Sequence, residues 1–156
     1  MLHRLHQTRQ YVIVDLFETC LLQYYFLKKA GLRVTMVLDP TEVNAPDTIA
    51  IVPTPISDAF LAAGGGADVV FNSRSFSEMA RSTVEHYFTL IQDDLRPAYI
   101  LHENANILLF PDSARHVEVL ASAFPVDPRK YCLRQMTVSP FLGGSGRYRE
   151  CLYTRV

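Results

Sequence analysis

The sequence predicts an α/β fold, a mostly parallel sheet with helices on both faces that ends in a C-terminal antiparallel hairpin. Three observations carry that expectation. Short apolar runs without strict polar alternation, Tyr11-Val-Ile-Val-Asp15, Arg33-Val-Thr-Met-Val-Leu38 and Val69-Val-Phe71, read as strands buried on both faces. Segments with helical spacing of apolar residues lie between them, the order in which crossover helices build parallel sheets. Past Pro128, the strand-like runs Lys130 to Val138 and Arg149 to Arg155 are joined by a short link containing Gly143-Gly-Ser-Gly146. A link that short favours an antiparallel pair, because a parallel pair needs a crossover.

Taken in order, Tyr11 to Asp15 is the first strand, and Leu21, Leu22, Tyr25 and Phe26 mark the helix after it. Lys28 and Lys29 complement the dipole in its last turn, and Gly31 sits where a left-handed cap ends it. Arg33 to Leu38 is the second strand, closed by Asp39-Pro40, and a loop runs to Asp47. Thr48 to Val52 is a short strand broken by Pro53 and Pro55, with a short helix over Ile56 to Ala63. Gly64-Gly-Gly66 leads into the strand at Val69. Ser75 and Glu78 read as a capping box that opens the next helix, whose stripe is Val84, Tyr87, Phe88, Ile91 and Leu95. Ala98 to Leu101 starts another strand, ending on the polar group His102-Glu103-Asn104, and a short helix is expected around Val117 to Ala121.

Composition bounds the function. The 156 residues, 49% hydrophobic, suffice for one domain with a real core, without disulfides or a structural metal. A net charge of −1 gives no basic field for phosphate backbones, so nucleic acid is not an expected partner. Cys20, Cys132 and Cys151 are odd in number and widely spaced, which suits reduced thiols in a cytoplasm. No stretch approaches the roughly 18 apolar residues of a membrane helix, and charges interrupt the N-terminal segment where a signal peptide would need an apolar run. His3 and His6 are too few for a metal site, as are Glu103 and Asn104, and no metal is expected. Gly143 to Gly146 lacks the Lys-Ser/Thr and helix of a phosphate loop and reads as a hairpin loop.

The junction from Asp68 to Met79 is the centre of the functional reading, because ligands of open α/β sheets bind at the carboxyl ends of strands. Asn72, Ser73 and Arg74 lie at that edge. Arg74 either orients a substrate carboxylate or hydroxyl, or is solvated or paired with a nearby acid such as Glu78. His102 is either a general base for a hydroxyl or a structural histidine. Asp15 ends its strand as either a ligand-binding carboxylate or a turn acid at a helix start.

Two stretches carry a resemblance. Tyr11-Val-Ile-Val-Asp-Leu-Phe-Glu-Thr-Cys-Leu-Leu-Gln-Tyr-Tyr-Phe-Leu27 resembles the second strand and helix of the sugar O-methyltransferase family, with Phe17 where the family has proline. Phe71-Asn-Ser-Arg-Ser-Phe-Ser-Glu-Met79 is similar to the same family's motif after the fourth strand. The resemblance spans about residues 11 to 104 and implies a Rossmann-like, class I S-adenosylmethionine-dependent methyltransferase acting on a sugar or glycoside hydroxyl. It further implies that Asp15 accepts hydrogen bonds from the cofactor ribose, and that Asn72 and Ser73 lie beside the cofactor's methionine end. Arg74, His102 and Glu103 are then the catalytic candidates.

The sequence departs from the family in one large respect. The family's sheet has the order 3-2-1-4-5-7-6, and no strand with a glycine-rich turn precedes Tyr11. The expectation is therefore a single, truncated methyltransferase-like domain over 1–156, lacking the central strand and holding S-adenosylmethionine weakly or not at all. Two strands would be left with an open edge, to be filled in a homodimer or by a chain that carries the missing half. The alternatives are a non-catalytic assembly module and a small binding protein for another ligand.

Overall fold

The computed structural model describes residues 10–42, 45–107, 119–140 and 146–156. They form two compact units, one ending at Gly65 and the other beginning at Gly66. His3, His6, Val117 and Gly143 to Ser145 lie outside the described residues.

The first unit is a three-stranded parallel sheet between two helices. Strand β1 (Gln10–Asp15) leads to helix α1 (Phe17–Lys29), followed by β2 (Val34–Met36), β3 (Thr48–Pro53) and α2 (Thr54–Gly64). The strand order is β1-β3-β2, with β1 in register from Gln10 opposite Thr48 to Asp15 opposite Pro53. Central β3 is buried along its whole length, which explains its unbroken Thr-Ile-Ala-Ile-Val run. Because strand side chains alternate, Ile49 and Ile51 pack with Cys20, Tyr24 and Leu27 of α1, whereas Ala50 and Val52 pack with Ile56, Phe60 and Leu61 of α2.

Helix α1 ends as expected: the Leu32 amide donates to the Leu27 carbonyl at 3.1 Å, and Gly31 takes φ 76°. Its inward face differs from the expectation, however. Leu21, Leu22, Tyr25 and Phe26 are exposed, and the smaller set Cys20, Tyr24 and Leu27 meets the sheet. Helix α2 tolerates Pro55 because the first-turn amides have no partner within the helix.

The second unit consists of β4 (Val69–Ser73), α3 (Arg81–Thr89, continued by a π-helical turn Leu90–Leu95), β5 (Tyr99–Ala105), β6 (Tyr131–Val138) and β7 (Tyr148–Arg155). Its sheet order is β4-β5-β7-β6, with β4 and β5 parallel and the rest antiparallel. That is the order of the last four strands in the resembled family, including the terminal antiparallel hairpin. Val84, Phe88, Ile91 and Leu95 are buried as their spacing predicts. Phe88 joins Phe76 and Phe124 in an aromatic cluster with centroids 5.4–5.8 Å apart. Buried Gln92, in the π-turn, donates to the carbonyls of Phe88 and Pro125 and accepts from the Asp127 amide, which fixes the segment before β6.

Three local expectations are corrected here. Val69 and Phe71 are exposed, so β4 is buried on one face only. Helix α3 starts at Arg81 with Ala80 as its cap, while Phe76–Glu78 is a 3₁₀ turn whose preceding Ser75 makes no side-chain cap. Ser75 and Glu78 are thus not a capping box. Strand β5 runs on to Ala105, so His102, Glu103 and Asn104 lie within it and are buried. The short helical turn near residue 121 is a 3₁₀ turn, Ala121–Ala123. Among the described residues no helix is long and apolar enough to cross a membrane.

This packing separates two phenylalanines. Phe88→Ala is expected to cost about 3–5 kcal/mol by urea denaturation, and Phe71→Ser no more than about 0.5 kcal/mol. Equal costs would show that both faces of β4 are covered.

Candidate functional site

Polar side chains gather at the carboxyl ends of β4 and β5. Asn72 and Asn104 are two strand positions out of register and join through the Asn104 amide, which donates to Asn72 Oδ1 at 2.9 Å. Asn72 also donates to the Ser75 hydroxyl and receives the Phe76 amide at 3.4 Å. Asn104 Oδ1 accepts from the Ser77 amide at 3.2 Å, and the Ser77 hydroxyl accepts from the Ala105 amide at the same distance. The 3₁₀ turn is therefore stitched to both strands by side chains that would be costly to bury unpaired. Asn72 is committed to this framework.

Glu103, on the other face of β5, is buried and carries a second network. It accepts from the hydroxyls of Ser139 and, at 3.1 Å, Ser73. Arg74 Nε lies 3.6 Å from the same carboxylate. The Ser139 hydroxyl above all, then Ser73 and the Arg74 charge, hold the Glu103 carboxyl below its ordinary range despite the opposing effect of burial. It is an ionised anchor. Arg74 has φ 65°, in the left-handed region that non-glycine residues rarely occupy. Its amide donates to the Glu103 carbonyl at 2.7 Å, and its guanidinium lies 5.8 Å from the Tyr148 ring centroid. Arg74 is thus paired with Glu103, and its guanidinium stays about half exposed.

His102 sits on the opposite face from Glu103, fully buried between Phe124 and Tyr153. Neither ring nitrogen has a hydrogen-bond partner among the described residues. Burial lowers its pKa to about 4, so the ring is neutral near pH 7.

Asp15, in the first unit, ends β1. Its carboxylate accepts from the Leu16 amide at 2.8 Å and from the Gln23 side-chain amide at 2.9 Å, and its carbonyl receives the Thr54 hydroxyl at 3.0 Å. The Gln23 Oε1 atom is buried and has no partner among the described residues. A carboxylate has about four acceptor positions, and two here are used by the chain. The remaining acceptor positions of the half-buried Asp15 carboxylate suit the paired hydroxyl donors of a ribose, while Gln23 holds that carboxylate in place.

Gln23, Thr54, Ser77, Ser139 and Tyr148 have no local sequence signal for their parts in these networks. Ser139 meets Glu103 only because the β6–β7 hairpin folds back along β5, 36 residues away in the chain. The β5–β7 register, which carries the hairpin and with it Ser139 and Tyr148 toward Glu103, is not legible before the sheet is assembled.

No protein-family model and no curated protein sequence matches this chain. Solved structures do. The fold is similar to a protein described as "putative methyltransferase yhhF" from Escherichia coli, with TM-score 0.56 and 16% identity over 97% of this chain. It is also similar to a "putative methylase" from Haemophilus influenzae, with TM-score 0.54 and 17% identity over 98%. The chain spans 66% of the first protein's length and 76% of the second's. At such identities the likeness is one of fold, and that fold is the Rossmann-like α/β arrangement that the sequence predicts.

Two measurements test the geometry. Asn104→Ala strands the Ser77 amide and leaves Asn72 Oδ1 with only the 3.4 Å bond from the Phe76 amide, and is expected to cost about 1–3 kcal/mol, read as a lower denaturation midpoint. His102 binds a proton more readily unfolded than folded, so stability is expected to fall as pH drops from about 6.5 to about 4. The loss is on the order of 3 kcal/mol, and His102→Phe should remove that part of the pH dependence. A variant with an unchanged profile would show that His102 is not the responsible group.

Proposed function

We propose that the chain is an S-adenosylmethionine-dependent O-methyltransferase-type protein of the cytoplasm, acting on a sugar hydroxyl, whose isolated form holds the cofactor weakly. The observation that carries the reading is the Asp15 carboxylate at the end of β1, held by the Gln23 side-chain amide and the Leu16 amide and left with acceptor positions for the two ribose hydroxyls. The fold of the similar structures supports it. The cofactor supplies an electrophilic methyl group when bound. Arg74 positions the acceptor oxygen through its exposed N–H donors, and Glu103 fixes Arg74. Glu103 is held ionised by Ser139, Ser73 and Arg74, which makes it a weak proton acceptor, so its role is positioning. His102 is a structural group of the core in this reading. The free thiols of Cys20, Cys132 and Cys151 suit a reducing compartment.

A second reading, a non-catalytic module completed by another chain, draws support from the edges of the sheets. Among the described residues β1 and β4 each have a strand partner on one side only. An open edge can accept an added strand.

Ligand-observed NMR with S-adenosylmethionine separates the readings. The expected result is binding in the millimolar range, about −4 kcal/mol, lost in Asp15→Asn and weakened in Gln23→Leu. No binding at 10-fold higher concentration, roughly −3 kcal/mol, or binding indifferent to Asp15→Asn, would overturn the cofactor assignment and leave the second reading.

A further inference from the structure

Helix α1 turns most of its apolar surface away from its own sheet. Phe17, Leu21, Leu22, Tyr25 and Phe26 are each 46–65% exposed. At 100° per residue Leu22, Tyr25 and Phe26 lie opposite Cys20, Tyr24 and Leu27, which face the core, and Phe17 and Leu21 border that outward side. The rings of Tyr25 and Phe26 meet edge to face at 5.3 Å, so the outward surface is already ordered in part.

The charges on the same side identify the occupant. Glu18 lies in the first turn and Lys29 in the last, eleven residues apart, which is three turns and about 16 Å along the axis. Leu22 and Tyr25 lie between them on the same line, and Lys29 Nζ sits 5.7 Å from the Tyr25 ring. The pattern runs acid, apolar, apolar, base. It is complementary to itself when reversed: two such helices packed antiparallel about a two-fold axis put Glu18 of each against Lys29 of the other, with the apolar residues between. A parallel pairing would set like charges together.

The area also suits a dimer. Taking roughly 200 Å² for a large aromatic residue and somewhat less for leucine, the exposed parts of the five come to about 500 Å² per copy. Two copies together would remove up to about 1,000 Å² from water, which reaches the lower bound for a specific interface, with the aromatic enrichment that interface centres show.

We propose that the outward face of α1 is a homodimer interface in which two copies of this chain pair antiparallel through Leu22, Tyr25 and Phe26, flanked by reciprocal Glu18–Lys29 contacts. The interface is independent of cofactor binding.

Sedimentation velocity of the full chain across a dilution series tests it, with circular dichroism confirming the fold of each variant. The wild type is expected to dimerise, and Leu22→Glu with Phe26→Glu to be monomeric and folded. Glu18→Lys alone should weaken the dimer on the order of tenfold, as should Lys29→Glu alone, and the two together should restore it. That restoration distinguishes antiparallel self-pairing from non-specific apolar contact. A wild type monomeric at every concentration would overturn the proposal. So would a dimer that survives the two glutamates, or a double charge exchange that restores nothing.

Discussion

A buried side-chain amide is costly unless both its ends are paired, and in the second unit the pairing of Asn104 governs the turn around it. Asn104 has no exposure at all, and its amide is spent on Asn72 and Ser77. Those bonds bring the turn at Phe76–Glu78 over the end of β5, and the turn in turn puts Phe76 into the cluster with Phe88 and Phe124. Arg74 has to bridge from β4 into that turn, and its left-handed backbone is the result. The guanidinium is aimed by a framework that lies on the other side of the strand. An unmet amide in such a place would cost as much as several surface contacts could return.

The strands were legible because a buried strand needs little more than an apolar run of the right length. β1, β3, β6 and β7 fall within a residue or two of their expected limits. Helix α1 was legible as a helix but not in its orientation, because Phe17, Leu21, Leu22, Tyr24, Tyr25, Phe26 and Leu27 leave no polar side to mark the exterior. Ser75 and Glu78 have the spacing of a cap, yet the hydroxyl is claimed by Asn72, a competitor that lies across a turn rather than along a helix. The polar triplet His102-Glu103-Asn104 resembles the end of a strand. Pairing with β4 and β7 on either side, together with Ser139 and Ser77, is what lets it continue as one.

The two faces of β5 show how one strand can hold opposite chemistries. Glu103 looks to Ser73, Ser139 and Arg74 and is kept charged. One residue earlier, His102 looks into aromatic rings and is kept neutral. The period of two separates them completely, so a base and an anchor that are adjacent in sequence do not share a site. The candidate site in this unit therefore draws on Ser73, Arg74, Glu103 and Tyr148. In the first unit, Gln23 holds the Asp15 carboxylate at the end of β1.

The one-sided burial of β4 also bears on how the chain behaves in concentrated solution. Val69 and Phe71 stand exposed on a strand that, among the described residues, has a strand partner on one side only, the arrangement from which edge-to-edge pairing grows. The run is short and is bracketed by Asp68 and Arg74. In a parallel, in-register stack each of these charges would meet its own copy at about 4.8 Å, so that mode of growth is opposed from both ends, whereas an antiparallel pairing would set Asp68 against Arg74. Arg74 thus disfavours parallel stacking of β4 from the same position in which Glu103 and Tyr148 hold it.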